Sequence, residues 1–117
     1  MQPDQRHLSY LWDMRSSAER IAELVDGATF DDFGPNSMLR LAVERLMEII
    51  GEAARRVPDD VRASHPLISW GAIIGQRNII AHEYGEIDPR ILWVTANKDM
   101  LPLIAATDAI IPSDSVS

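Results

Sequence analysis

The sequence predicts an all-α protein, a small up-and-down bundle of four main helices with one short extra helical turn. Apolar residues recur three and four positions apart along most of the 117 residues, which is the period of one helix face. No segment shows the alternation of apolar and polar residues that is typical of a half-buried strand. Cap residues, glycines and prolines divide the pattern into long segments joined by short loops, as in a helical bundle.

The first helix is predicted over residues 4–25, and Gly27 is expected to end it in the left-handed conformation. Residues 29–36 are expected to form a polar connection between the first two main helices. Phe30 and Phe33 within it are predicted to attach this loop to the core.

The second main helix begins at Pro35-Asn36-Ser37, a start signal, and is expected to end before Pro58. Three glutamates four residues apart form a carboxylate ridge along it, and the last two are Glu48 and Glu52. Such a ridge is usually a solvated face, and nearby arginines offer it partners. The alternative is that Glu48 or Glu52 holds Arg77 across the bundle as an orienting carboxylate.

The third main helix is predicted over residues 70–83, after a single helical turn within residues 59–65. Asp88 and the proline after it start the fourth main helix, which continues to about residue 111. Pro102 removes one backbone hydrogen bond and should kink or divide that helix. Residues 113–117 are expected to be a frayed tail.

Composition restricts the classes of function. With 46% hydrophobic residues, the chain is expected to form one globular domain over residues 1–117. It has no cysteine, which excludes disulfides and thiolate metal sites. No signal-like or membrane-spanning apolar run is present, so a soluble cytoplasmic protein is expected. The net charge of −7 argues against broad adhesion to nucleic acid, so RNA would need a local basic cleft.

The third main helix places polar chemistry inside an apolar pattern. On a helical wheel of about 100° per residue, Arg77 lies at the centre of an apolar stripe. Asn78 and His82 form a pair four residues apart, and Tyr84 returns close to the angle of Arg77. Burial of an arginine costs several kcal/mol unless it is paired. Each residue alone could be an ordinary core-edge side chain, but together they indicate a site. The stripe consists of Trp70, Ile73, Ile74, Ile80 and Ala81.

Arg77, His82 five residues later and Tyr84 two residues after that resemble the motif of the HEPN superfamily, in its HepT-like toxin branch. The residue after the arginine is typically polar in that superfamily, as Asn78 is here. The resemblance implies a helical, metal-independent endoribonuclease without a cofactor, whose site is shared across a dimer. It extends to flanking segments of the chain: Glu48 to Arg56, Gly85, Ile87-Asp88 and Trp93.

These residue types suit RNA cleavage, because the 2'-hydroxyl of RNA supplies the nucleophile. His82 can transfer protons near neutral pH, since the ordinary pKa of histidine is about 6.5. Arg77 offers a fixed fork of donors to phosphate oxygens as negative charge builds up. Asn78 could orient the imidazole or hold a phosphate oxygen. A metal site is not expected, since no second histidine follows His82 at the zinc-protease spacing.

A single His82 per chain cannot serve as both the base and the acid in one step. A twofold homodimer with the motif helices at its interface would bring two copies of His82 and Arg77 into one cleft. Gly71 and Gly75 flank the His82 side of the wheel and would let another backbone approach closely. The sequence therefore predicts a homodimer through this helix.

The resemblance also implies a partner. HepT-like toxins belong to HepT/MntA-type toxin–antitoxin systems and are typically encoded beside a minimal nucleotidyltransferase antitoxin. In some of them the motif tyrosine, here Tyr84, is blocked by transfer of AMP; the RNA substrate would be tRNA or mRNA. Two other interpretations use the same residues. One is a non-catalytic helical dimer that serves as an adaptor subunit of a nucleotidyltransferase, and the other is a nucleotide-binding module.

Overall fold

A computed structural model describes residues 6–83 and 87–112 of the chain. This part of the chain contains seven helices and no strand. The long helices α1, α3 and α5, together with the consecutive pair α6 and α7, are the four main helices. The predicted all-α bundle is therefore confirmed. The helices in chain order are α1 (Arg6–Val25), α2 (Phe30–Phe33), α3 (Ser37–Arg56), α4 (Asp59–Ser64), α5 (Trp70–Glu83), α6 (Pro89–Lys98) and α7 (Met100–Ile110).

The core lies where α1 meets α3 and α7. Helix α1 contacts both of these helices extensively, whereas α5 packs chiefly against α3. Fully buried side chains recur at helical spacing along α1, and each contributes roughly 1.5–3 kcal/mol of burial free energy if it is the size of leucine. An ion pair of 2.9 Å between Arg15 Nη1 and Asp108 Oδ1 also joins α1 to α7. The fully buried residues of α1 are Leu11, Met14, Ala18 and Ile21.

Residues 29–36 contain the short helix α2, where the sequence predicted only a polar loop. Thr29 caps this helix, because its hydroxyl accepts from the Asp32 N–H while the Asp32 carboxylate accepts from the Thr29 N–H. Phe33 is fully buried, with its ring centroid 5.3 Å from that of Trp93 on α6. The connection is thus attached to the core through Phe33, as the sequence predicted.

The last main helix is divided near Pro102, as predicted. Helix α6 ends at Lys98 and α7 begins at Met100. Pro102 has no N–H to donate to the carbonyl of Lys98, so one helical hydrogen bond across the break cannot form. At the other end of α6, the Asp88 side chain accepts from the Arg90 N–H at 2.9 Å. Gly27 has a φ of 74°, which confirms the left-handed stop after α1.

Some predictions concern positions outside the described residues. These are the start of the first helix near residue 4, the side chain of Tyr84 and the tail at residues 113–117. Among the helices that the structure does describe, none is both long and apolar enough to span a membrane.

Candidate active site

Helices α3 and α5 approach each other closely at Gly51. A Cβ atom at this position would lie 2.1 Å from Cβ of Arg77 and 3.2 Å from the carbonyl oxygen of Ile73. Real side-chain atoms do not come so close, so only glycine lets the two backbones pack at this distance. Helix α3 thereby fixes the position of Arg77.

Arg77 connects α5 to a carboxylate on α3. Its Nη2 lies 3.3 Å from Oε2 of Glu52, and its Nη1 donates to Oδ1 of Asn78 at 3.1 Å. The contact with Glu52 is an ion pair without hydrogen-bond alignment, since Glu52 Oε2 has no hydrogen-bond partner among the described residues. Each Nη atom carries two hydrogens, so Arg77 keeps donors for a ligand. Its side chain is 28% exposed, which leaves the guanidinium within reach of one.

Of the two predicted orienting carboxylates, Glu52 is the one that contacts Arg77. Glu48 lies 3.5 Å from Nη1 of Arg45, on its own helix. The spacing of the ridge could not distinguish the two glutamates. The close approach at Gly51 decides between them, because it places Arg77 next to the following residue, Glu52.

Glu52 also binds two arginines of its own helix. Arg55 Nη2 donates to Glu52 Oε1 at 2.8 Å, and Arg56 Nε donates to the same oxygen at 3.2 Å. The hydrogen bond from Arg55 is the main cause that lowers the pKa of Glu52, with smaller contributions from Arg56 and Arg77 against the opposing effect of burial. One carboxylate therefore faces three guanidinium groups. Two positive charges remain unmatched in this cluster on an otherwise acidic chain.

His82 is held by the backbone of Asn78. Its Nδ1 lies 2.9 Å from the Asn78 carbonyl oxygen. Because a carbonyl can only accept, Nδ1 must carry the hydrogen, and Nε2 is then the basic nitrogen of the neutral ring. Asn78 thus orients His82 through its carbonyl and Arg77 through its side chain. The contact with the Arg77 side chain was not predicted.

The outward face of α5 is open. A Cβ at Gly71 or Gly75 would meet nothing within 4 Å in the described part of the chain. Ile79 is 52% exposed, although it is a large apolar side chain. Exposed Asn78 and His82 lie on this face as well. Ile79 and two of the predicted site residues therefore share one surface that no described residue covers.

The apolar stripe around Arg77 is only partly as predicted. Trp70 and Ile80 are buried, and Ile73 and Ile74 are half-buried. Ala81 is exposed, so the stripe is not buried along its whole length.

Sequence reasoning missed a cavity of 290 Å³ beside Arg77, which Tyr10 and Asp13 of α1 help to line. No local pattern connects these two residues to the motif on α5, because their proximity depends on how α1 packs on α3. Within residues 6–83 and 87–112, no group of three or more histidine, aspartate and glutamate side chains is arranged to hold a metal ion.

Comparison with known proteins gives consistent matches. The family model described as "Ribonuclease HepT-like" matches residues 14–110. The chain is similar to "Putative RNase MJ1380" of Methanocaldococcus jannaschii, with 37% identity over 92 residues, 79% of this chain and 84% of that protein. It is also similar to "Probable ribonuclease HepT" of Thermococcus cleftensis, with 36% identity over 94 residues, 80% of this chain and 86% of that protein. Comparison with solved structures gave no significant match.

Proposed function

The chain belongs to the HepT-like ribonuclease family of the HEPN superfamily, and from this we propose that it is a metal-independent endoribonuclease toxin. The observation that carries the proposal is the arrangement on α5. Asn78 holds both Arg77 and His82, and it leaves Nε2 of His82 free to act as a base. One residue therefore orients both the hydrogen-bond donor for a phosphate, Arg77, and the proton acceptor, His82.

In the proposed reaction, His82 Nε2 takes the proton of a 2'-hydroxyl. The 2'-oxygen then bonds to the adjacent phosphorus, and the bond from phosphorus to the 5'-oxygen breaks. Arg77 stabilises the negative charge that builds up on the non-bridging oxygens. The partner's His82, in its protonated form, gives a proton to the leaving 5'-oxygen. The products are a 2',3'-cyclic phosphate and a 5'-hydroxyl.

Purified protein incubated with total cellular RNA in excess chelator is expected to cleave the RNA. The reaction needs only proton transfer and charge stabilisation, which His82 and Arg77 supply. Gel analysis of the RNA measures it, and a His82→Ala preparation purified in parallel controls for contaminating nucleases. An intact RNA profile with wild-type protein would contradict the proposal and favour the adaptor interpretation.

A homodimer through the outward face of α5 completes the proposed site. The support is that this face carries exposed Ile79 and two glycines, Gly71 and Gly75, where an added Cβ would meet no described residue within 4 Å. Next to it, a cavity of 600 Å³ between α5 and α6 is lined mainly by apolar side chains that include Ile79 and half-exposed Ile91. Exposed apolar surface of this kind is typical of protein interfaces.

Ile79→Arg is therefore expected to convert the dimer into a monomer and to lower RNA cleavage by more than tenfold. An arginine at this position would bury an unpaired charge in the interface, which costs several kcal/mol. Sedimentation at micromolar concentration measures the mass, and circular dichroism checks the helical content. Leu24→Arg, at an exposed leucine on α1, is the matched control and should remain a dimer. A monomeric wild-type protein would refute the dimer.

We also propose that a minimal nucleotidyltransferase antitoxin neutralises the protein by transferring AMP to Tyr84. The proposal rests on family membership and on the position of Tyr84 in the sequence, two residues after His82. Phosphate groups attached there would compete with RNA for Arg77 and repel the RNA backbone.

Coexpression with the cognate nucleotidyltransferase is expected to raise the intact mass of the protein by one or more AMP units. Tyr84→Phe removes the acceptor oxygen alone, so this variant should keep its unmodified mass and remain toxic. Mass spectrometry of the purified toxin decides the question. A mass shift that persists in Tyr84→Phe would place the modification elsewhere, and no shift in the wild type would indicate neutralisation by binding.

A further inference from the structure

The cavity beside Arg77 lies in the groove between α1 and α3. Tyr10 and Asp13 of α1 line it together with Ile49 and Ala53 of α3. Its volume of 290 Å³ is close to the lower limit of about 300 Å³ for small-ligand sites. A single nucleobase fits such a space, whereas a base pair in a duplex does not.

Two polar groups in the cavity have no partner among the described residues. The Tyr10 hydroxyl and the Asp13 carboxylate make no hydrogen bond or ion pair with another described residue. The ring of Tyr10 is half-buried and packs against the core, so its orientation is fixed while part of it remains accessible. The cavity therefore presents an aromatic ring and a free acceptor together.

Charged side chains of both signs extend this surface, since Glu48 and Glu52 line the cavity beside the arginines. Arg45 and Arg56 also line the cavity, and their side chains are 68% and 58% exposed. Their ion pairs with Glu48 and Glu52 are surface contacts, which are typically weak. Both guanidinium groups can therefore turn toward the phosphates of a bound strand.

We propose that this cavity binds the base of a single-stranded nucleotide next to the scissile phosphate, with a preference for guanine. This inference rests on the proposed ribonuclease function. Arg77 makes the connection, since it lines the cavity and also belongs to the catalytic group on α5. His82 lies five residues further on, about 7.5 Å along the helix axis. A base in the cavity thus leaves its phosphate at Arg77.

The preference for guanine follows from hydrogen-bond chemistry. An ionised carboxylate such as that of Asp13 only accepts hydrogen bonds. Guanine presents two neighbouring donors, N1–H and the N2 amino group, and can satisfy both carboxylate oxygens. Adenine and cytosine place an acceptor beside their amino group, and uracil has one N–H between two carbonyls. Tyr10 provides the stacking surface that unpaired bases use in RNA-binding proteins.

The test measures binding of fluorescein-labelled hexauridylates that carry one guanine, adenine or cytosine, or none. His82→Ala serves as the parent protein, because it should bind RNA without cleaving it. The guanine oligonucleotide is expected to bind about tenfold more tightly than the others, and Asp13→Asn should remove this difference. Tyr10→Leu, which keeps apolar bulk but removes the ring, should weaken binding of all four by about tenfold. Trp12→Ala removes an exposed aromatic ring of the same helix that does not line the cavity, and it should change neither result.

Cleavage-site mapping with the otherwise wild-type protein provides the second readout. Guanine should be enriched next to the cleaved bond, and Asp13→Asn should abolish the enrichment. Asp13 is exposed, so this variant tests the cavity even if Tyr10→Leu fails to fold. If the wild type cleaves RNA but both cavity variants bind and cleave like their parents, the cavity assignment is wrong and the ribonuclease assignment stands. Guanine-selective binding that depends on Asp13, without any cleavage, would support the cavity and overturn the ribonuclease.

Discussion

His82→Ala is expected to reduce RNA cleavage by at least about 100-fold and to abolish growth inhibition, because general acid–base groups contribute roughly 10²–10⁴ to a rate. Arg77→Ala should cause a loss of about 10²–10³, the range for removal of a group that stabilises developing charge. Single-turnover cleavage of a defined RNA measures both losses. The two substitutions remove different contributions to one reaction, so either substitution alone should abolish growth inhibition.

Neither substitution should unfold the protein. The His82 side chain is exposed, and removal of Arg77 leaves Glu52 with two other arginines, Arg55 and Arg56. Circular dichroism and sedimentation should therefore match the wild type. His65→Ala is the matched control, since His65 is distant in sequence from the motif and its recorded contact with Trp70 uses only the backbone carbonyl. Wild-type cleavage by either site variant would show that the site is wrongly assigned.

Gly51→Ala should lower the free energy of unfolding by about 1–3 kcal/mol, the usual cost of an inserted group in a well-packed interface. The added methyl would meet Cβ of Arg77 at 2.1 Å, so α3 and α5 must separate. Separation also moves Arg77 away from Glu52, and RNA cleavage should fall with stability. Urea denaturation followed by circular dichroism gives the first quantity, and the cleavage assay gives the second.

Gly71→Ala is the control for this effect. It replaces another helical glycine, but a Cβ there meets nothing within 4 Å among the described residues. Alanine in a helix is favoured over glycine by about 0.5–1 kcal/mol, so in the Ile79→Arg background, which lacks the proposed dimer contact of Gly71, this variant should be at least as stable as its parent. Equal stability of Gly51→Ala and the wild type would mean that the close helix contact does not exist in solution.

Most of the fold could be predicted because its signals are local. Helical periodicity, the left-handed stop at Gly27 and the cap at Asp88 each act over a few residues, and the structure confirms them. Helix α2 was missed because a four-residue helix has no period to detect. Its only signal was the reciprocal cap formed by Thr29 and Asp32.

The site was predictable only along a single helix. Spacing places Arg77, Asn78 and His82 within two turns of each other wherever the rest of the chain lies. The choice of Glu52 over Glu48 depends instead on the register between α3 and α5, which Gly51 sets. Tyr10 lines the cavity beside Arg77 because α1 packs on α3, and these two helices are distant in sequence. Long-range register carries no local signal, so these residues required the structure.

The packing of α1 against α7 has a consequence for synthesis of the protein. Arg15 pairs with Asp108 across 93 positions of sequence, and the core closes only when both helices are present. A nascent chain that already contains the complete motif on α5 therefore still lacks α7, one of the helices that bury its core. Contacts of such long sequence separation form late in folding. A chain built in this way is expected to complete its core only after α7 has left the ribosome.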